Sequence, residues 1–401
     1  MLTLDEALGR LLAHARRTDG ETVALADALG RVLVEPKVVA TVDVPPFANS
    51  AMDGYAVRST DTPGRLQVVG ESAAGARDVP DVGARSAVAI ATGAPLPAGA
   101  DAVVPIEQVD ELDGAVVVPE RVHPGAHVRA AGHDTAAGDE LCLRGELTPA
   151  RIAVLASLGL GRVEVRRRPR VAILSTGDEL VAPGEPLGPG QIHDANSASL
   201  AAAVTEAGGE PIVLARVPDQ AVPTEEAMID AARRGDLVVT SGGVSVGRRD
   251  HVRGVLERHG SLDFWRIAVQ PGKPLAVGTL DGAPVIGLPG NPVSALVTFE
   301  LFVRPFIRTM LDLGDDGRVR VRATPTQRMA KDPTRRAFLR VIVSREDGAI
   351  RAAPAGGQAS SQLRPMAGAN ALLVVPEGSD AADPAATYEA IVLAPIPLTS
   401  P

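Results

Sequence analysis

Thr3 and Glu6 flank the start of a run in which Leu4, Leu8, Leu11, Leu12 and Ala15 recur at helical spacing, so the chain opens on a capped amphipathic helix. The pattern then changes. Short apolar or alternating runs at 32–39, 66–70, 86–91, 102–106 and 115–118 are bounded by Gly, Pro and Asp, which predicts a β-rich, turn-rich region with few long helices. Thr148 followed by Pro149 marks a helix start, and the helix runs to 158. Arg166, Arg167, Arg168 and Arg170 follow as a basic stretch, read as a solvated strand or linker at a domain boundary.

From Pro169 the chain alternates. Strands are expected at 171–175, 211–215, 237–240, 262–269, 275–278 and 285–288. Helices are expected at 197–207 (behind Asn196 or Asp194 as cap), 224–234, 251–259 and, as one long element, 292–310. This alternation is the signature of a doubly wound, mostly parallel α/β sheet. Residues 315–317 break it, and runs at 319–323, 337–344, 371–375 and 388–393 suggest a closing β-barrel or sandwich.

Composition narrows the function. The 401 residues are 45% hydrophobic and 22% charged, a globular composition long enough for several domains. A net charge of −9 argues against nucleic acid as a partner, and 2% aromatics leaves little for base stacking. Cys142 stands alone, which excludes an intrachain disulfide and a cysteine metal cluster. No apolar run is long enough to span a membrane, and residues 1–17 lack the pattern of a signal peptide, so a soluble, cytoplasmic protein is expected.

Ligands of open α/β sheets bind beyond the carboxyl ends of the strands. Three predicted strand exits are unusual: Ser175-Thr176-Gly177-Asp178-Glu179-Leu180, Thr240-Ser241-Gly242-Gly243-Val244-Ser245-Val246-Gly247, and Gly287-Leu288-Pro289-Gly290-Asn291-Pro292-Val293-Ser294. Glycine there lets backbone approach a ligand and aim N–H groups at an anion. Nearby carboxylates are Asp178, Glu179, Asp194, Asp219 and Asp250; nearby cations are Arg248, Arg249, Arg266 and Lys273. Amides with cations suit a phosphate or oxyanion, and carboxylates beside phosphate suit Mg²⁺. Asp194 reads most simply as a helix cap. There is no P-loop and no dinucleotide fingerprint, and His123 and His127 are separated by Pro124-Gly125, which forbids a regular helix between them. A dense patch, Asn49-Ser50-Ala51-Met52-Asp53-Gly54-Tyr55-Ala56-Val57, fits neither periodicity and reads first as a packed loop with a turn at Asp53-Gly54.

That patch, with Thr92-Gly93-Ala94, the three strand exits and Pro271-Gly272-Lys273-Pro274, resembles in content and order the molybdopterin molybdenumtransferase (MoeA) family, to which the C-terminal domain of gephyrin is related. The resemblance covers nearly the whole length, more loosely at the C-terminus. It implies a homodimer and four domains: 1–40 with 141–168 as linker and dimerisation domain, 41–140 as an inserted β-rich domain, 169–314 as the molybdopterin-binding α/β domain, and 315–401 as a β-barrel. It implies a cleft that the partner subunit's N-terminal segments help to build. The implied activity is Mg²⁺-dependent insertion of molybdate into adenylylated molybdopterin, releasing AMP. A molybdopterin adenylyltransferase and molybdoenzyme-maturation proteins are possible partners.

Carried over by motif, the functional carboxylates are Asp53, Asp134, Glu179, Asp219 and Asp250, with Thr92 beside them and Glu179 and Asp250 as metal ligands. The oxyanion-holding set is Ser245, Lys273, Ser294, Arg340 and Ser360; Ser175, Thr176, Gly177, Asp178, Ser241, Gly242, Gly243, Gly247, Arg266, Pro289, Gly290 and Asn291 complete the substrate site. Departures from the family are Ala48 for a common Asp, Gln270 for a common Lys, Arg266 for a frequent Lys, Ala130-Ala131 for arginines of some members, and Ala359-Ser360 for Gly-Ser. Two alternatives remain open from sequence: a non-catalytic molybdopterin-binding scaffold of the same fold, and an adenylyltransferase consuming ATP.

Overall fold

The computed structural model describes residues 2–244, 251–346 and 348–397. The chain falls into two units, Thr22–Val165 on the one hand and Met1–Glu21 with Arg166–Pro401 on the other.

In the unit Thr22–Val165, six strands form one mixed sheet in the order Ala102–Pro105, Gly54–Val57, Ser86–Ile90, Gly64–Ser72, Ala115–Val118, Asp110–Leu112. Alternation along Gly54–Val57 sends Tyr55 and Val57 to one face with Leu66, Val104 and Val116, and Ala56 to the other with Val88, Ile90 and Val103. The patch at 49–57 is therefore strand as well as turn. Gly54 is obligatory there, because a Cβ would stand 2.0 Å from the Val104 carbonyl oxygen of the neighbouring strand. The run expected as a strand over 32–39 forms a ladder at Lys37–Val39, against Glu140–Cys142, and isolated bridges from Val32 to Glu146 and from Leu33 to Val165, since Pro36 interrupts it. Helix Pro149–Ser157 forms as predicted, with the Thr148 hydroxyl accepting from the Arg151 N–H.

The other unit opens on helix Leu4–Leu12, whose Thr3 and Glu6 form the predicted reciprocal cap. Its α/β layer contains β1 (Arg170–Ser175), α1 (Ala195–Glu206), β2 (Glu210–Val213), α2 (Ala221–Arg234), β3 (Leu237–Ser241), α3 (His251–His259), β4 (Gly260–Trp265), β5 (Ala276–Leu280) and β6 (Ala283–Leu288). The sheet order is β2-β1-β3-β6-β5-β4. The first four strands are parallel, and β5 and β4 add antiparallel at one edge. Ile173, Leu174, Val238, Val239, Val285 and Ile286 are fully buried, as a parallel sheet covered on both faces requires.

The expected single helix over 292–310 is instead α4 (Pro292–Thr298), a wide π turn at Phe299–Val303, and α5 (Arg304–Met310). Pro305 explains it: the ring has no N–H for the preceding turn, and a wider turn accommodates it without ending the helix. The arginine stretch also differs from expectation. It does mark the junction of the two units, but its side chains are engaged: Arg167 donates to both carboxylate oxygens of Asp236 at 2.8 and 3.0 Å, and Arg166 donates to the Thr18 carbonyl.

Beyond it, β7 (Arg320–Pro325), β8 (Arg336–Glu346), β9 (Ala349–Pro354), β10 (Ala371–Val375) and β11 (Tyr388–Val392) close into a ring, β8-β9-β7-β11-β10 and back to β8. Leu339, Val341 and Val343 on β8 and Ala371, Leu373 and Val375 on β10 point inward at period two. Before β7, Arg318 forms paired bonds to Glu206 of α1 (2.9 and 3.1 Å) and to Glu300 in the π turn (2.7 and 2.8 Å). Arg318 and Glu300 are both about nine-tenths buried, so truncating Arg318 leaves Glu300 buried with only the longer Arg304 contact, at 3.9 Å, among the described residues. Arg318→Ala is expected to lower the unfolding free energy by about 3–5 kcal/mol. Arg328→Ala, in an exposed pair with Asp380, should change it by less than ~1 kcal/mol. Denaturant unfolding of the two variants measures the contrast, and equal losses would contradict it.

Candidate functional site

The strand order places β2 on one side of β1 and β3 and β6 on the other, so the sheet has its topological switch point at the carboxyl ends of β1 and β3. The three glycine-bearing exits meet there. The Thr176 N–H donates to the Ser241 carbonyl (3.3 Å) and the Gly242 N–H to the Leu288 carbonyl (3.1 Å). Gly242 and Gly243 have φ of 91° and 69°, and a Cβ on Gly242 would meet the Thr176 carbonyl oxygen at 3.0 Å. A Cβ on Gly290 would lie 3.6 Å from the Cα of Gly242. Pro289, between β6 and that glycine, is buried. The Ser175 and Ser197 hydroxyls are 2.8 Å apart, and Ser197 is in turn held by Asp194, which caps α1 as expected. Asn196 is not the cap: its Nδ2 reaches Ser241 Oγ and the Gly290 carbonyl. Thr176 Oγ1 and Asn196 Oδ1 are buried at this crest without a partner among the described residues.

Carboxylates line the β1 exit. Asp178 Oδ1 accepts from the Asp219 N–H at 3.1 Å, and His251 Nε2 lies 3.2 Å from the Asp219 carbonyl oxygen and 3.7 Å from its Oδ1. Glu179 folds back so that its carboxylate oxygens are 2.7 and 2.8 Å from where a Cβ on Gly177 would stand, and Gly177 therefore leaves room for it. Ser245, Gly247 and Asp250, with Arg248 and Arg249, lie outside the described residues. The donor set fits Mg²⁺, which takes hard oxygen ligands, often only one or two carboxylates, and keeps its waters. Among the described residues no three or more His, Cys, Asp or Glu side chains converge to hold a metal on their own.

The start of α4 carries the second part of the site. Ser294 is buried in its first turn. The Asn291 Nδ2 donates to Ser360 Oγ (2.9 Å) and the Val293 N–H to the Ser360 carbonyl (3.3 Å), so a barrel loop is bonded to this helix start. Beneath that loop Arg340, on β8, is fully buried. Its Nη2 donates to the Gly357 and Ala359 carbonyls at 3.0 and 3.2 Å, and its Nε has no partner. Burial pushes the guanidinium pKa down, with no carboxylate opposing it. Arg266, at φ 93°, and exposed Lys273 lie at the two ends of one loop, closed by bonds from the Arg266 N–H to the Leu275 carbonyl and from the Ile267 N–H to the Lys273 carbonyl. Gly272 in that loop packs against Thr298 of α4, 2.4 Å from where its Cβ would be. Gln270 is spent elsewhere, accepting from the Asp332 N–H at 2.9 Å.

In the unit Thr22–Val165, Asp53 and Thr92 are brought together: Asp53 Oδ1 accepts from the Thr92 N–H (2.6 Å) and hydroxyl (2.8 Å). These bonds, the backbone one first, hold the Asp53 carboxyl below its ordinary value. Neighbouring Asn49 and Ser50 are buried, and Asn49 Oδ1 has no partner. Asp134 is exposed, its N–H bonded to the Val44 carbonyl.

Residues 2–159 match the MoeA N-terminal region (domains I and II), 172–309 a probable molybdopterin binding domain, and 322–392 the MoeA C-terminal region (domain IV). The molybdopterin molybdenumtransferase 2 of Mycobacterium tuberculosis is 41% identical over 370 residues, covering 89% of this chain and 91% of the relative. That of Haemophilus influenzae is 44% identical over 312 residues, 77% of each. Two solved MoeA structures from Pyrococcus horikoshii superpose with TM-scores of 0.85 and 0.83 at 33% and 29% identity, covering 98% of this chain and all of theirs. The chain belongs to the molybdopterin molybdenumtransferase family.

For a MoeA chain, the residues that sequence reasoning did not single out for the site are Asn196 and His251, because each acts across tertiary contacts that leave no local pattern. The Asp53–Thr92 contact gives a direct test. Thr92→Val removes the hydroxyl and keeps the N–H, so the Asp53 pKa is expected to rise part of the way toward its ordinary value, readable by carboxyl NMR titration. A folded pKa below the unfolded one means that the contact's stabilisation is present above the ordinary carboxylate range and fades as pH falls through the depressed value. In the variant the stabilisation is smaller and its fading is complete at higher pH.

Proposed function

We propose that this chain is a molybdopterin molybdenumtransferase that works in molybdenum cofactor biosynthesis, inserting molybdate into adenylylated molybdopterin with release of AMP. The observation that carries the reading is the meeting of three glycine-bearing strand exits at the switch point of one sheet, with the Asp178–Asp219 carboxylates beside them and the Ser360 loop over buried Arg340 beside α4. The Thr176 and Ser241 hydroxyls and the backbone amides at Gly243 and Gly290 suit the phosphate of the substrate. Lys273, Ser294, Arg340 and Ser360, with Ser245, supply cations and donors for the molybdate oxyanion. Glu179 and Asp250 would hold Mg²⁺, which would supply positive charge to the phosphoryl oxygens. Asp219, held by Asp178, completes the proposed carboxylate set of the α/β layer, and Asp53, Thr92 and Asp134 are the proposed functional residues of the unit Thr22–Val165.

The reading includes a homodimer, a cytoplasmic location and the division into domains at 1–40 with 141–168, 41–140, 169–314 and 315–401. The substrate comes from a molybdopterin adenylyltransferase, since its phosphoanhydride must be made beforehand. The scaffold alternative draws on Gln270, whose amide serves the barrel backbone where a lysine would add charge. Incubation of the purified protein with adenylylated molybdopterin, Mg²⁺ and molybdate is expected to release AMP in a molybdate-stimulated manner. Pterin binding without release would favour the scaffold, and ATP consumption would favour the adenylyltransferase. Loss of one charge-assisted contact is worth roughly 1.5–3 kcal/mol, so Lys273→Ala should slow AMP release about 10–100-fold. Asp250→Asn should slow it comparably, both with thermal stability nearly unchanged.

A further inference from the structure

Asn196 sits in the first turn of α1, yet its side chain does not serve that helix. Its Nδ2 carries two hydrogens, and both are given away across the crest, one to Ser241 Oγ at the end of β3 (2.7 Å) and one to the Gly290 carbonyl beyond β6 (2.8 Å). The amide cannot be turned over: Oδ1 would then face the Gly290 carbonyl oxygen, two acceptors with no hydrogen between them. Oδ1 is buried with no partner among the described residues, a state that costs about 1–3 kcal/mol. A residue kept for packing alone would carry no such cost.

We propose that Asn196 is the positioning residue that makes this crest a uniform array of hydrogen-bond donors for the phosphate-bearing part of the substrate. This deepens the transferase reading and rests on it. The reasoning follows the hydrogens. Ser241 Oγ accepts from Asn196, so its own hydrogen is directed elsewhere. The Gly290 carbonyl is drawn toward Asn196, and across a trans peptide the Asn291 N–H points the opposite way. That N–H has no acceptor among the described residues. Asn291 Nδ2 then donates to Ser360 Oγ (2.9 Å), which frees the Ser360 hydrogen in the same manner. Asn196 thus sets the polarity of the Ser241 hydroxyl and the Gly290–Asn291 peptide on two strand exits, and Asn291 continues the pattern to the barrel loop. Phosphate and oxyanion oxygens only accept, so donors are what they need.

The test uses the full chain and AMP as probe, with calorimetric binding, steady-state turnover of adenylylated molybdopterin, and Tm. Asn196→Ala and Asn196→Asp are expected to raise the AMP Kd and the KM about tenfold or more, the loss of one such contact. The kcat at saturation should stay within about twofold, the mark of lost uniform binding, with Tm close to wild type. Ser241→Ala, which leaves the Asn196–Gly290 bond in place, should shift the same two constants by a smaller factor, and it keeps the question open to measurement if Asn196→Asp does not fold. Wild-type activity with unchanged AMP affinity and KM in the folded variants would overturn the role of Asn196 alone. So would affinity and Tm falling together, which would make it a residue of stability. A wild-type protein that neither binds AMP nor releases it would overturn the transferase reading itself.

Discussion

A parallel sheet covered on both faces leaves chemistry nowhere to go except the ends of its strands. β1, β3 and β6 are apolar and buried along their length, and polar side chains begin where they stop, at Ser175, Ser241 and just past Leu288. Because β2 and β3 lie on opposite sides of β1, the connections leave to opposite faces and the crest between them stays open. The glycines, the carboxylates beside Thr176 and the helix start at Pro292 all take their positions from that reversal.

The buried cations divide into two kinds. Arg318 is neutralised by Glu206 and Glu300, and its pKa is raised, against its burial, by the bonds to both. That charge is closed on itself and holds α1, the π turn and the approach to the barrel together. Among the described residues the Arg340 guanidinium has only carbonyl partners, so its charge is uncompensated there, beneath the loop that carries Ser360. A guanidinium with neither a charge partner nor a bond at Nε is suited to an incoming anion.

What could be read from the sequence was what the backbone itself demands. Thr3 with Glu6, Thr148 with Pro149, and the alternation from β1 to α4 follow from local rules, and the glycines at 242, 243 and 290 signalled close approach before any coordinates. The rest depended on partners distant in the chain. Arg166 to Arg170 looked like a solvated run because Asp236 and Thr18 are far away in sequence. The π turn was hidden because 292–310 reads as one apolar helical run, and Pro305 within it is accommodated by a wider turn rather than by an end to the helix. Asn196 reads as a cap in one dimension, and only the fold reveals that β3 and β6 end beside it.

The barrel is stitched to the α/β layer at points that belong to the crest. Val269–Gln270 pairs with Arg336–Ala337 of β8, Gln270 accepts from Asp332, and Ser360 is bonded to Asn291 and Val293. The α/β layer is therefore not a portable cassette. Excised before β7, it would retain every glycine turn yet lose the strap across the start of α4 and the anchor of the Lys273 loop. Insertions, fusions and domain exchanges that respect only the boundaries of the central sheet would inherit its outline without its function; the barrel has to travel with it.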